Sequence, residues 1–307
     1  MKSFIMAFIF LFSLDTFATV CNNPTMLIAQ TTFDLSSNTT VNPTITVRAN
    51  TSPGGCDFFI TFDYGLASSY TGRALRRSPH SWPFTLSKNS TGTQILKKIP
   101  DVAGPNDVLS GTLTAGSSNR QVNVNYFGIL NVENPWLYYG LFSDTFTASL
   151  YIGSASGSYT FIESKTLTFQ YTAPKKVDIS ISNSGGSFDV NDFTETLNFG
   201  TLSPGTVRSC DAILKYNAGY ILYASSSNNS SLKQDSGSAT IPYTIKFNNT
   251  SFNLSSSASS PVEIARELGV SPASGRVVPI SATIGSFGVK PSGTYKDTIT
   301  LTVQSAE

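Results

Sequence analysis

At 307 residues, with 40% hydrophobic and 13% charged positions, the chain is long enough for two domains of about 100 to 200 residues each, and its surface is neutral and hydroxyl-rich, well short of the roughly 25% charge of ordinary soluble proteins. A formal net charge of +1 argues against a nucleic-acid partner, because phosphate binding needs clustered Lys and Arg. One histidine, His80, and three cysteines exclude multi-histidine metal centres and CxxC zinc knots; with no phosphate loop, calcium loop or cofactor motif, no metal and no cofactor is expected.

Residues 1–18 read as a signal peptide. Lys2 supplies the positive start, residues 4–12 form an apolar run too short to span a bilayer, and Thr16-Phe17-Ala18 places small residues before a cleavage point. Cleavage there leaves Thr19 and Val20 ahead of Cys21; a lipoprotein is the lesser reading, since Val20 is large for the position before a lipidated cysteine. No other segment approaches the roughly 18 apolar residues of a membrane helix. The remainder is expected to be exported to a compartment where disulfides persist.

From there the patterning is that of strands. Thr44-Ile45-Thr46-Val47, Phe58-Phe59-Ile60-Thr61-Phe62, Val122-Asn123-Val124-Asn125-Tyr126 and Thr298-Ile299-Thr300-Leu301-Thr302-Val303 alternate or are rich in β-branched and aromatic residues, with Gly, Asn, Ser and Pro between them. One short helical turn is expected at residues 262–268. Many short strands separated by turn signals indicate an all-β chain of sandwich type.

An internal repeat fixes the organisation. Residues 140–150 align without gaps on 293–303, with Gly140, Phe142, Asp144 and Thr145 matching Gly293, Tyr295, Asp297 and Thr298. Upstream, Trp82-Pro83-Phe84-Thr85 matches Ile241-Pro242-Tyr243-Thr244, and Cys56-Asp57 matches Cys210-Asp211, each ahead of an apolar strand. The expected fold is two Ig-like antiparallel β-sandwich domains, residues 19–172 and 177–307, joined by the polar, proline-bearing linker 173–176.

The repeat breaks at its end. After Leu150 the first copy runs through a Gly/Ser loop into a further strand, Leu167-Thr168-Phe169-Gln170-Tyr171, whereas after Val303 the second copy has only residues 304–307. The second domain is therefore expected to lack its last strand and to present Ile299, Leu301 and Val303 as a groove. Unmet buried hydrogen bonds cost about 1 to 3 kcal/mol each and open edges aggregate, so a strand donated by another chain is the expected remedy.

The Asp-Thr endings and the segment Leu197-Asn198-Phe199-Gly200 resemble the spore coat protein U domain, the pilin unit of archaic chaperone-usher pili. With a complete first domain, an incomplete second one and no donor extension ahead of Cys21, the chain resembles the two-domain tip adhesins of those pili. The resemblance implies a non-enzymatic cell-surface adhesin with an N-terminal adhesin domain and a C-terminal pilin domain. It also implies three partners, a periplasmic chaperone, an outer-membrane usher and an adjacent pilin subunit that donates the strand, along with a surface or host ligand. Cys21 and Cys56 are expected to form a disulfide; the first strand of the second domain offers no cysteine to Cys210, which is expected to be a free, poorly accessible thiol. A structural pilin or spore-coat-like protein, or a secreted carbohydrate-binding sandwich, stand as alternatives.

Strand alternation places residues 50–55, 153–163 and part of 100–118 at the end of the first sandwich away from the linker. Candidate adhesive residues there are Tyr159, Phe161, Ile162, Val102, Val108 and Leu109, with two readings open for the first three: exposed adhesion, or burial at the start of the last strand. Trp136-Leu137-Tyr138-Tyr139 and the basic segment 73–77 fall at the linker end, where the aromatic run is expected to pack rather than to bind. No pairing of Asp57, Asp63, Asp144 or Glu163 is compelled to the spacing of a glycosidase, and His80 lacks a nucleophile elbow.

Overall fold

The computed structural model describes residues 21–132, 134 and 136–307, so the proposed signal peptide lies outside the described residues. The chain is all-β, without a helix among the described residues. It divides into two compact units: one runs to Val132 and resumes over Phe142–Tyr171, and the other takes Thr172–Glu307 together with the described residues between Val132 and Phe142.

The first unit contains β1 (Thr25–Ile28), β2 (Thr32–Asp34), β3 (Thr40–Val41), β4 (Thr44–Ala49), β5 (Cys56–Phe62), β6 (Ala74–Arg77), β7 (His80–Ser87), β8 (Leu109–Leu113), β9 (Arg120–Asn125), β10 (Phe127–Leu130), β11 (Gly140–Gly153) and β12 (Tyr159–Ala173). One sheet has the order β1-β4-β9; the other runs β2-β12-β11-β6-β7-β10-β3, with β5 and then β8 added along the second half of β11. Period-two alternation drives the packing. Phe142, Phe146, Ala148 and Leu150 of β11 and Leu167, Phe169 and Tyr171 of β12 are buried, and Phe169 meets Phe33 at 4.9 Å and Phe84 at 4.8 Å between ring centroids. Each such ring contributes about 1.5 to 3 kcal/mol when withdrawn from water. The hairpin from β11 to β12 closes with the Ser154 amide donating to Ser158 O at 3.1 Å. Gly153 sits at φ +111°, and a Cβ there would lie 2.2 Å from Ser158 O, so only glycine makes this turn.

The second unit repeats the plan with β13 (Val177–Asn183), β14 (Val207–Tyr216), β15 (Tyr220–Ser226), β16 (Ser231–Gln234), β17 (Thr240–Phe247), β18 (Thr250–Phe252), β19 (Val262–Glu267), β20 (Arg276–Ile284), β21 (Tyr295–Lys296) and β22 (Ile299–Gln304). β13-β14-β20 mirrors β1-β4-β9, and β20 goes on to pair β17 as β10 pairs β7. β15 lies between β19 and β22 as β5 lies between β8 and β11. Lys296 pairs Lys233 of β16 as Ser143 pairs Arg76 of β6.

Two expectations are corrected by this topology. Residues 262–268 form a strand rather than a helical turn: Val262 and Ile264 alternate with Glu263, and pairing with β15 outweighs a Glu263–Arg266 spacing that also suits a helix. The Cys56-Asp57 and Cys210-Asp211 anchors are not equivalent. Cys56 opens β5, whereas Cys210 lies within β14, the counterpart of β4.

Candidate functional site: an open strand slot and an aromatic hairpin

β22 pairs with β15 along one edge, and among the described residues nothing pairs with the other. Its core-facing residues, Ile299, Leu301 and Val303, pack against the core of the second unit but are only half-buried. In the first unit the matching residues Phe146, Ala148 and Leu150 are fully buried, because β12 lies alongside β11. That neighbour also holds β2: β12 runs parallel to it with Phe169 opposite Phe33, the Leu35 amide donates to Gln170 O at 2.8 Å and the Thr168 amide to Thr31 O at 2.7 Å.

At the place in chain order where the first unit has β2, the second has segment 195–199, which is not assigned as a strand. Leu197 and Phe199 alternate toward the core and are half-buried, yet the segment enters no ladder among the described residues. The Asn198 amide turns back locally to Thr196 O, and Asn198 O takes a bond from Arg208 Nε at 2.9 Å. The second unit thus has two apolar segments packed on its core, β22 with one unpaired edge and segment 195–199 outside any ladder among the described residues. Leu197 and Phe199 were recognised in the sequence as a motif, and they pack against the same core as Ile299, Leu301 and Val303.

The second feature is the tip of the β11–β12 hairpin. Tyr159, Phe161 and Ile162 begin β12, so they belong to a strand; Tyr159 and Phe161 nevertheless remain 43% and 54% exposed, and Ile162 is half-buried. Tyr151 meets Tyr159 and Phe161 edge-to-face at 5.5 Å each and stacks on Phe59 at 4.9 Å. Val108 and Leu109 are a correction: both are 2% exposed and belong to the core where β8 joins β5, so they offer no surface to a ligand. Val102 is half-buried in the preceding loop.

Other singled-out residues are structural. Cys21 and Cys56 form a disulfide with a Cα separation of 6.0 Å, which contributes about 2 to 4 kcal/mol by restricting the unfolded chain. Cys210 is free and buried, its thiol pushed up to about 11 by burial, reinforced by the charges of Glu195 and Asp211; it is a poor nucleophile. Asp63 accepts the amides of Thr147 and Gly65 at 2.9 and 3.1 Å, and buried Asp144 accepts those of Thr145 and Leu66. Glu163 caps the Met26 amide and pairs with Lys165 at 3.1 Å. Trp136 packs edge-to-face on Phe188 at 6.3 Å, and Lys175 Nζ lies 5.2 Å from the Tyr139 ring centre. Sequence reasoning gave Arg73 no role beyond a basic segment at the linker end: it is 1% exposed and ties together the carbonyls of Phe62, Asp63, Leu86 and Leu96.

No protein-family model matches the chain, and no curated protein matches it. Among solved structures, a chain of the CsuC–CsuE chaperone–tip adhesion subunit complex of the archaic Csu pili of Acinetobacter baumannii is similar at a TM-score of 0.42 and 12% identity, over 91% of this chain and 100% of that one. The CupB6 tip adhesin of Pseudomonas aeruginosa gives 0.42 and 13%, over 92% and 95%. CfaE, the adhesive subunit of CFA/I fimbria of enterotoxigenic Escherichia coli, gives 0.31 and 12%, over 92% and 82%. The solved structures to which this chain is similar thus include tip and adhesive subunits of bacterial pili.

Proposed function

We propose that the protein is the tip adhesin of an archaic chaperone-usher pilus, with the first unit as its adhesin domain and the second as its pilin domain, joined near residues 173–176. The observation that carries this reading is the contrast within one chain. In the first unit β12 lies beside β11 and holds β2, while in the second, among the described residues, β22 pairs only with β15 and segment 195–199 enters no ladder; we read these unpaired edges as a slot for a donated strand. A strand entering that slot makes several ladder bonds of about 1 kcal/mol net each and covers apolar side chains at about 1.5 to 3 kcal/mol each. A periplasmic chaperone occupies the slot first, and the next pilin replaces it at the outer-membrane usher, leaving the protein at the cell surface. The closed first sandwich needs no such partner and is free to bind a surface, through the exposed rings of the hairpin.

Leu301→Asp tests this by placing a charge in the slot, with Thr300→Asp, on the exposed face of the same strand, as its control. In the native host, the Leu301 variant is expected to be missing from sheared pili and to be degraded, while the Thr300 variant assembles normally. Pili carrying the Leu301 variant at wild-type levels would show that β22 is not the joining edge.

A further inference from the structure

The hairpin rings share a sheet face with hydroxyls and a carboxylate. Asp57 and Phe59 are two residues apart on β5, so both side chains leave the same face. Pairing puts Thr112 beside Asp57, and Ser110 and Tyr151 on either side of Phe59. Thr112 Oγ1 donates to Asp57 Oδ1 at 2.6 Å, which leaves Oδ2 without a donor among the described residues, and Asp57, Thr112 and Ser110 are all exposed. Beyond this face the projecting loops carry no large apolar side chain: residues 50–55, 114–119 and 154–158 are mainly Gly, Ser, Thr and Asn. Two of these loops are clipped together, Ser52 and Gly116 exchanging amide-to-carbonyl bonds at 2.9 and 2.8 Å.

That composition suits a sugar better than a bare apolar surface. The loops at this end are polar, and the exposed rings of Tyr159 and Phe161 are fixed in orientation by edge-to-face contacts with Tyr151 and Phe59. A pyranose has an apolar C–H face that stacks on an aromatic ring and a rim of hydroxyls that donate to a carboxylate, a charge-assisted bond stronger than a neutral one. We propose that this face binds a neutral hexose or hexosamine unit of a glycan, with Tyr159 and Phe161 under the ring, Asp57 Oδ2 accepting from its hydroxyls, and Thr112 and Ser110 completing the rim. The exposed Asp57 carboxylate disfavours sialic acid, whose own carboxylate it repels. This ligand class rests on the reading of the hairpin as the adhesive region.

The test passes the full chain, purified with a donor peptide of alternating apolar residues fused after Glu307, over beads bearing glucose, galactose or N-acetylglucosamine, over sialic acid beads and over plain polystyrene. The wild type is expected on at least one neutral-sugar bead, released by the free sugar, and not on sialic acid. Asp57→Asn keeps the shape and the rings, and is expected to weaken sugar retention about tenfold, the size of one charged hydrogen bond, without changing its melting. Retention on sialic acid alone, or an Asp57 variant that binds sugar as well as the wild type, overturns the site. Retention on polystyrene alone, lost in Phe161→Ser, overturns the sugar but leaves the hairpin as the adhesive region. If Tyr159→Ser and Phe161→Ser bind every bead as the wild type does, the hairpin reading fails and the sugar site with it.

Discussion

Arg73 shows how far a residue's role departs from its class. Its guanidinium reaches Asp63 O at 2.5 and 3.1 Å, Leu96 O at 2.7 Å, Phe62 O at 3.2 Å and Leu86 O at 3.3 Å, and burial lowers it to about 10, so it stays charged at neutral pH. The five donors of an arginine fork satisfy carbonyls where β5 and β7 lead into loops, a task no other side chain has the geometry for. Arg73→Ala is expected to cost about 3 to 5 kcal/mol, because several carbonyls lose their donor inside the protein, and Arg73→Lys to recover less than half of that. Urea unfolding of the first unit, followed through Trp82 fluorescence, measures both; a loss below about 1 kcal/mol in the alanine variant would mean water replaces the guanidinium. The paired motif aspartates have a related role. Asp297 accepts from Ser226 Oγ, Tyr243 Oη, and the amides of Asn228 and Thr298 at 2.5, 2.6, 2.9 and 2.8 Å, so the Asp-Thr signature recurs because it ties a corner in each sandwich.

At the scale of the element, β12 is one strand with two environments. Phe169 lies in its core half among Phe33, Phe84 and Phe146, whereas Phe161 lies in its exposed half. Phe169→Ala is therefore expected to cost about 3 to 5 kcal/mol and Phe161→Ser less than about 1 kcal/mol, a split that urea melts of the two variants resolve; equal losses would make the hairpin tip part of the core. The alternation of β11, β12 and β22 was legible in the sequence, because a period of two states which residues face inward. What surrounds an exposed stretch was not. Val108 and Leu109 looked like loop residues until β5 claimed them, and Phe161 looked equally able to be buried, since that depends on whether another strand crosses over it. The Cys-Asp match failed for a related reason: a cysteine ahead of an apolar run marks a strand without saying which one, and only the pairing partners distinguish β5 from β14. Of the proposed slot, one part was readable in the sequence. Ile299, Leu301 and Val303 follow from the repeat, but the unpaired state of 195–199 emerges only when β2 is seen bonded to β12.

Across the whole molecule β12 has no counterpart beside β22 among the described residues, and on the proposed pilin reading that difference predicts how the chain unfolds. The first unit has its aromatic core closed by β12 and its start pinned by Cys21–Cys56, so it is expected to melt cooperatively without help. The second leaves Ile299, Leu301, Val303, Leu197 and Phe199 half-covered and is expected to show no cooperative transition, or to aggregate, in the uncomplemented full chain. A peptide of alternating apolar residues, fused after Glu307 through a short flexible turn, can run back antiparallel to β22 and parallel to 195–199, the directions β12 takes beside β11 and β2. The ladder bonds and covered side chains together rival the roughly 5 to 15 kcal/mol of a typical domain, so calorimetry is expected to show a second transition appear while the first stays in place. The control is the same peptide shifted by one residue, which turns its polar side chains into the slot and is expected to restore nothing. A second transition already present without the peptide, or equal rescue by the shifted one, would mean that the slot does not read a strand's side chains, and the pilin role of the second unit would lose its physical basis.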